Sequence, residues 1–191
     1  MNRHLNVWIN RIISVYSSLT HCLFFSYLTS CVFRGERKVH IRWYDEQGVP
    51  TKKGICLNMT QVKTLLDCAT SISEDADNLF ANLQPGDIHK YALHIGYGSY
   101  ISCEIFQGLK YFDIRRYWVP PNTEQGTEPI PTTKGCKLHE DQFALFKDQK
   151  DLLYEIIPEL SDIEDCKCLF DNQLQFLSCA RCNPFDCLNW L

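Results

Sequence analysis

The segment Phe33-Arg34-Gly35-Glu36-Arg37-Lys38-Val39-His40-Ile41-Arg42 aligns without a gap on Phe106-Gln107-Gly108-Leu109-Lys110-Tyr111-Phe112-Asp113-Ile114-Arg115. The shared frame is Phe-x-Gly, an apolar residue at 39 and 112, then Ile-Arg. An aromatic pair follows each copy, Trp43-Tyr44 and Tyr117-Trp118, displaced by one position. After a loop eight residues longer in the second copy, Pro50-Thr51-Lys52-Lys53-Gly54-Ile55-Cys56-Leu57 matches Pro131-Thr132-Thr133-Lys134-Gly135-Cys136-Lys137-Leu138, and Gln61-Val62 matches Gln142-Phe143. Matches this ordered point to two copies of one unit in a single chain.

Each copy reads as strands followed by a helix. Residues 26–33 and 100–106 are rich in aromatic and β-branched side chains, which strands favour. Arg34-Gly35 and Gln107-Gly108 then supply two-residue turns with glycine where positive φ is needed. Beyond the first turn, Val39, Ile41 and Trp43 point one way, and Lys38, His40, Arg42 and Tyr44 the other. One face is therefore core, and the other cationic and aromatic. The second copy alternates less cleanly, with Phe112 and Ile114 opposite Tyr111, Asp113, Arg115 and Tyr117. Asn58 or Thr60 can cap a helix carrying Val62, Leu65, Leu66 and Ala69 on one side, and His139-Glu140-Asp141 opens a run with Phe143, Phe146, Leu153 and Ile157. The expected class is α+β: two tandem β-β-β-β-α units, each a curved antiparallel sheet backed by a helix, joined as an intramolecular pseudodimer. The expected boundaries are an apolar N-terminal extension at 1–25, units at 26–80 and 99–160, a linker at 81–98 and an acidic cysteine-rich tail at 161–191.

The chain has 191 residues, 45% apolar and 22% charged, with a net charge of −4. That excludes a uniformly basic nucleic-acid coat and a charge-rich disordered chain. The total conceals a segregation. Residues 31–66 hold seven basic groups against three acidic ones, whereas residues 139–191 hold four against eleven. Any anionic partner must meet the repeats.

These residues resemble a known family. The run 102–118 with Lys134-Gly135-Cys136-Lys137-Leu138 and Gln142-Phe143 is similar to the C-terminal domain of the transcriptional coactivator PC4 (p15). The first copy resembles it through Phe33-x-Gly35, Ile41-Arg42-Trp43-Tyr44 and Lys53-Gly54-Ile55-x-Leu57. The likeness spans about residues 26–70 and 99–157 and is fuller in the second copy. It implies a nuclear, non-enzymatic protein that binds single-stranded DNA with little sequence preference, as a transcriptional coactivator or a replication or repair accessory protein. RNA and melted duplex offer the same phosphates and bases, and the transcription machinery is the implied protein partner. Carried over, the family's contacts fall on Phe33, Arg42 and Lys53, and on Phe106, Arg115, Trp118 and Lys134. The cationic and aromatic pattern adds Arg34, Lys38, Trp43, Lys52 and Lys110. Gln107 and Leu109 stand where the family carries lysines, so the halves are expected to be unequal, with charge mainly from the first and stacking mainly from the second. The chemistry agrees with the resemblance, since single strands need cations along the phosphates and flat groups under the bases.

Other signals are weaker. The apolar run from Ile12 to Leu28 is too polar and short for a membrane span, and signal cleavage near Ser30 would cut the first strand. Cys166, Cys168, Cys179, Cys182 and Cys187 have spacing that could hold zinc, with disulfides or free thiols as alternatives. No other cofactor is implied. Cys22, Cys31, Cys56, Cys68, Cys103 and Cys136 read as reduced core residues. Gly96-Tyr97-Gly98 reads as the turn entering the second copy, and His89 and His94 as linker residues. No catalytic constellation stands out. A different class of function also fits: a protein-interaction module in which the units only dimerise, by intramolecular pairing or as a homodimer, and the tail carries the contact.

Overall fold

The computed structural model describes residues 13–15, 25–81, 91–106, 108–118, 120, 129–164 and 179. The first half comprises β1 (Ile13–Val15), β2 (Phe25–Phe33), β3 (Glu36–Tyr44), β4 (Pro50–Asn58) and α1 (Met59–Ala81). The second comprises β5 (Tyr91–Gly96), β6 (Ser99–Phe106), β7 (Leu109–Trp118), β8 (Ile130–His139), α2 (Glu140–Asp148) and α3 (Lys150–Ile156), followed by a 3-10 turn at Pro158–Leu160. The fold is α+β. All eight strands form one antiparallel sheet in the order β1-β2-β3-β4-β8-β7-β6-β5, which reads the same outward from the β4/β8 pair in either direction.

The alternation foreseen in β3 is realised. Val39 and Ile41 are buried and pair with Leu57 and Ile55 of β4, while Lys38, His40 and Arg42 lie on the opposite face beside Asn58, Cys56 and Gly54. In β7, Phe112 and Ile114 face the core and pair with Leu138 and Cys136. The helices cover that apolar face. In α1, Val62, Leu65, Leu66, Ala69, Ile72 and Ala76 are buried at helical spacing. The helix crosses from β3 and β4 onto β5 and β6, and α2 packs on β7 and β8 and reaches β1. Each half thus shields part of the other.

Both helices start alike. Gln61 N donates to Asn58 Oδ1 at 2.9 Å and Asn58 N donates to Gln61 Oε1 at 3.0 Å. At α2, Asp141 N donates to His139 Nδ1 at 3.4 Å and His139 N to Gln142 Oε1 at 2.9 Å. These reciprocal caps satisfy orphan backbone donors, and they make Asn58, not Thr60, the N-cap of α1. The second helical run breaks at Gln149. Lys150 falls on the apolar stripe between Phe146 and Leu153, and its charge is met by Asp67 at 3.2 Å. Pro158 then ends α3 by driving Ile157 out of the helical region, to φ −125° and ψ 75°.

Three expectations need correction. Residues 91–96, read as linker, are strand β5, because Leu93 and Ile95 supply an alternating apolar register against Ile101 and the core. The N-terminal extension contributes β1, paired with β2 through Ile13↔Leu28. Cys31 and Cys56 are not core residues: both lie on the open face around His40, whose Nε2 is 3.4 Å from Cys31 Sγ, and Cys56 is exposed. Cys103 and Cys136 are buried, which pushes both thiols up to about 12.

Candidate nucleic-acid interface

The face without helices carries an arrangement that recurs in both halves. Where β3 meets β4, the pairing jumps from Arg42↔Gly54 to Tyr44↔Pro50, so one residue of β3, Trp43, faces three of β4, Thr51, Lys52 and Lys53. Between β7 and β8 it jumps from Arg115↔Gly135 to Tyr117↔Pro131. Each bulge is held by the same bonds. Thr51 Oγ1 donates to Trp43 O at 2.8 Å, and Lys53 N donates to Thr51 Oγ1 at 3.2 Å. Arg42 Nη1 donates to Thr51 O at 2.7 Å. The second bulge repeats them: Thr132 Oγ1 to Arg116 O at 2.7 Å, Lys134 N to Thr132 Oγ1 at 3.2 Å, and Arg115 Nη1 to Thr132 O at 2.7 Å. The bulge turns Lys52, Lys53 and Lys134 outward, as bulges commonly re-aim side chains. Each arginine lies beside a glycine: a Cβ on Gly54 would stand 3.0 Å from Arg42 Cβ, and one on Gly135 would stand 2.8 Å from Arg115 Cζ. Gly54 and Gly135 pair directly at the middle of the sheet.

The hairpin phenylalanines mark the outer ends of this face. Phe33 is 59% and Phe106 58% exposed, each in register across its hairpin with Glu36 or Leu109. Arg34, at φ 53°, lies 5.3 Å from the centroid of the Phe33 ring, a cation–π contact. Single apolar side chains on a surface need no explanation, but two bulky aromatics at matched hairpin tips beside cations are suited to stacking.

Charge distinguishes the halves. In the second, Arg115 donates from Nε to Asp113 Oδ2 at 2.8 Å and from Nη2 to Asp113 Oδ1 at 3.1 Å. That bidentate pair raises the arginine's already high pKa. Lys137 pairs with Glu104 and lies 5.2 Å from the Tyr111 ring centroid. In the first half, His40 and Cys31 occupy the positions of Asp113 and Glu104. Burial, and next Arg42, hold His40 below its ordinary pKa. Lys38 pairs with Glu36 at 2.5 Å. Among the described residues, no carboxylate pairs with Lys52, Lys53 or Lys134. The open cations thus belong mainly to the first half and the central bulges.

Three candidate residues lie elsewhere than expected. Lys110 is on the helix side of β7, in register with Phe112 and Ile114, where Asp77 of α1 and Glu140 of α2 both pair with it. Trp43 packs against the core, because it shares the register of Val39 and Ile41. Trp118 is 52% exposed at the end of β7, where alternation assigns it to the side of Ile114 rather than of Arg115. Phe33, Arg34, Lys38, Arg42, Lys52 and Lys53 share the open face or its edge with Phe106, Arg115 and Lys134. Of the tail cysteines, only Cys179 is among the described residues, half-buried; the zinc reading of Cys166, Cys168, Cys182 and Cys187 lies outside them.

The sequence reading put Tyr117 on the open face but missed the aromatic row it forms with Tyr100 and His94. Tyr100 packs on His94 at 4.8 Å and edge-on to Tyr117 at 5.1 Å between centroids. His94 and Arg115 are the cross-strand partners of Tyr100, so the row borders the arginine. Strict alternation from the buried Ile101 would have placed Tyr100 on the open face as well.

Residues 27–68 match the family model of the Transcriptional Coactivator p15 (PC4). The matched segment runs from β2 through β3 and β4 into α1 and includes the first bulge. The match is a likeness to a transcriptional coactivator over 42 of the chain's 191 residues. No curated protein matches the chain. The motif reading gave the second copy the fuller resemblance to PC4, whereas the match falls on the first. Physically, the first half keeps Arg34, Lys52 and Lys53 open, while the second has Gln107 and Leu109 in lysine positions, a loop eight residues longer and arginine and lysine closed by carboxylates.

Proposed function

We propose that this chain binds single-stranded DNA on the open face of its sheet, as two PC4-like units joined in an intramolecular pseudodimer. The repeated Thr-Arg-Lys-Gly bulge carries this reading. One motif, held by the same three hydrogen bonds on both sides of the Gly54/Gly135 pair, puts cations on an otherwise helix-free surface. The match of residues 27–68 to PC4 supports the ligand class. Phosphates are neutralised by Arg42, Lys52, Lys53 and Lys134, and bases stack on Phe33 and Phe106. The process is equilibrium binding without a covalent step. A role in the nucleus with the transcription machinery follows from the same family likeness.

The test is fluorescence polarisation with a labelled single strand, competed by duplex DNA and RNA across a salt series. The combined Lys52→Gln, Lys53→Gln and Lys134→Gln variant is expected to lower the magnitude of the log-log salt slope by about 2, at roughly 0.7 per single-strand phosphate contact. Lys110→Gln, whose charge is held on the helix side, leaves the slope unchanged. An unchanged slope in the triple variant refutes the nucleic-acid reading.

A further inference from the structure

A groove of about 530 Å³ runs between the halves, beside the Gly54/Gly135 pair. Among the described residues its lining includes five cationic ones, Lys38, Arg42, Lys52, Arg116 and Lys134, and no carboxylate. Two come from the second half, so neither repeat forms the groove alone. Tyr97 also lines it, at the edge where a second depression, which Glu36 and Glu159 make less cationic, leads toward the first hairpin.

Tyr97 is held there by its backbone. It sits at φ 53°, an unusual conformation for a non-glycine residue, between Gly96 and Gly98, and remains 43% exposed. The turn is fixed on every side. Gln61 Nε2, from α1 of the first half, donates to Gly96 O at 2.8 Å and to Ser99 Oγ at 3.0 Å. Gly98 N donates to His94 Nε2 at 3.1 Å, and Tyr117 N to Gly98 O at 2.8 Å. Gln61 is itself the capping glutamine of α1, so the helix start and the turn are one assembly. An exposed aromatic held in a sparsely populated conformation by surrounding bonds is a feature that marks ligand contacts.

We infer that this groove is a nucleotide subsite of the bound strand: a base stacks on Tyr97 while Arg116 and Lys134 hold the adjoining phosphates. The inference rests on the single-strand reading above but uses two residues outside the repeated motif, Tyr97 and Arg116.

Tyr97→Gly tests it, because glycine accepts the positive φ and removes only the ring. We expect an unchanged or raised unfolding temperature and single-strand affinity weakened about 5- to 150-fold, with the salt slope intact. Tyr97→Trp restores or exceeds the original affinity. Arg116→Gln lowers the slope magnitude by about 0.7. Wild-type affinity in a folded Tyr97→Gly protein overturns the subsite. If Tyr97→Gly unfolds, Tyr97→Asn, whose side chain tolerates this conformation, gives the same comparison. The two readings fail separately: absence of binding by the unaltered chain removes the single-strand function, whereas loss of binding in the Lys52/Lys53/Lys134 variant with none in Tyr97→Gly removes the subsite alone.

Discussion

Alanine at the two central glycines should give different results, although they pair with one another and occupy equivalent positions. A Cβ on Gly54 would meet Ile41 O at 2.7 Å and Arg42 Cα at 3.0 Å. Both obstacles are backbone atoms of β3, fixed by the ladder to β2 and β4. A Cβ on Gly135 would instead meet Arg115 Cζ at 2.8 Å and Nε at 3.0 Å, the far end of a flexible side chain. Gly54→Ala must therefore shift a strand at the middle of an eight-stranded sheet, an overpacking cost of about 1–3 kcal/mol. For a chain of this size that is an unfolding temperature lowered by about 2–12 °C. Gly135→Ala folds with less loss, because Arg115 can swing away, but the swing breaks its bonds to Asp113 and Thr132. The assay is thermal unfolding of both variants alongside single-strand affinity. Gly54→Ala should lose more stability, and Gly135→Ala should change the salt slope because Arg115 is released. Equal stability losses, or no loss at Gly54, would refute the distinction between backbone and side-chain obstruction.

Three other perturbations follow from the same geometry. Gln61→Leu leaves Gly96 O and Asn58 N without their buried partner and should cost about 2–4 kcal/mol, with faster amide exchange at residues 96–99; an unchanged denaturation midpoint would contradict it. Asp113→Asn opens Arg115 and should increase the magnitude of the single-strand salt slope by about 0.7, whereas an unchanged slope would mean that the arginine never reaches a phosphate. His40, held below its ordinary pKa first by burial and then by Arg42, has its full stabilising effect above about pH 6.5, where folded and unfolded chains both carry it neutral. As the pH falls, the unfolded chain takes the proton first and stability declines, by up to about 1.4 kcal/mol per pH unit, until the folded residue titrates. Denaturant midpoints between pH 7.5 and 5 should show a shallower decline in His40→Gln; identical profiles would remove this role.

The part of the fold governed by local pattern was legible. Alternation placed Val39 and Ile41 inward and Lys38 and Arg42 outward, and the glycine of each Phe-x-Gly marked its turn. Helical spacing located α1 through Leu65, Leu66 and Ala69. What escaped depends on pairing between distant segments. Lys110 looks identical in sequence to a phosphate-binding lysine; its side of the sheet is set by the register that aligns it with Ile105, and its partners, Asp77 and Glu140, come from two helices. Gly96-Tyr97-Gly98 read as a turn and no more, because Gln61, whose amide holds that turn, is distant in sequence. The bulges were present in the text as Pro-Thr-x-Lys-Gly, but a threonine that holds a bulge is indistinguishable in one sequence from one that is merely exposed.

The differences between the halves have a consequence for the ligand under the proposed function. A homodimer presents every residue twice, so a carboxylate set against one DNA-binding arginine is set against both. Joining two units in one chain removes that constraint. Asp113 and Glu104 close Arg115 and Lys137 on one side, while on the other His40 and Cys31 stand in their places and leave Arg42 without a carboxylate partner among the described residues. The cation-rich surface then extends from the first hairpin across the central groove and fades on the far side, where Tyr100, Tyr117 and Phe106 offer aromatic surface. A strand whose phosphates need the cations has one favourable position on such a face, so binding should saturate at one strand per chain. Titration of an oligonucleotide long enough to span one half, under conditions tight enough to count sites, should break at equimolar ratio. A break at two strands per chain would show that the carboxylates of the second half yield to phosphate and that the halves act as equals.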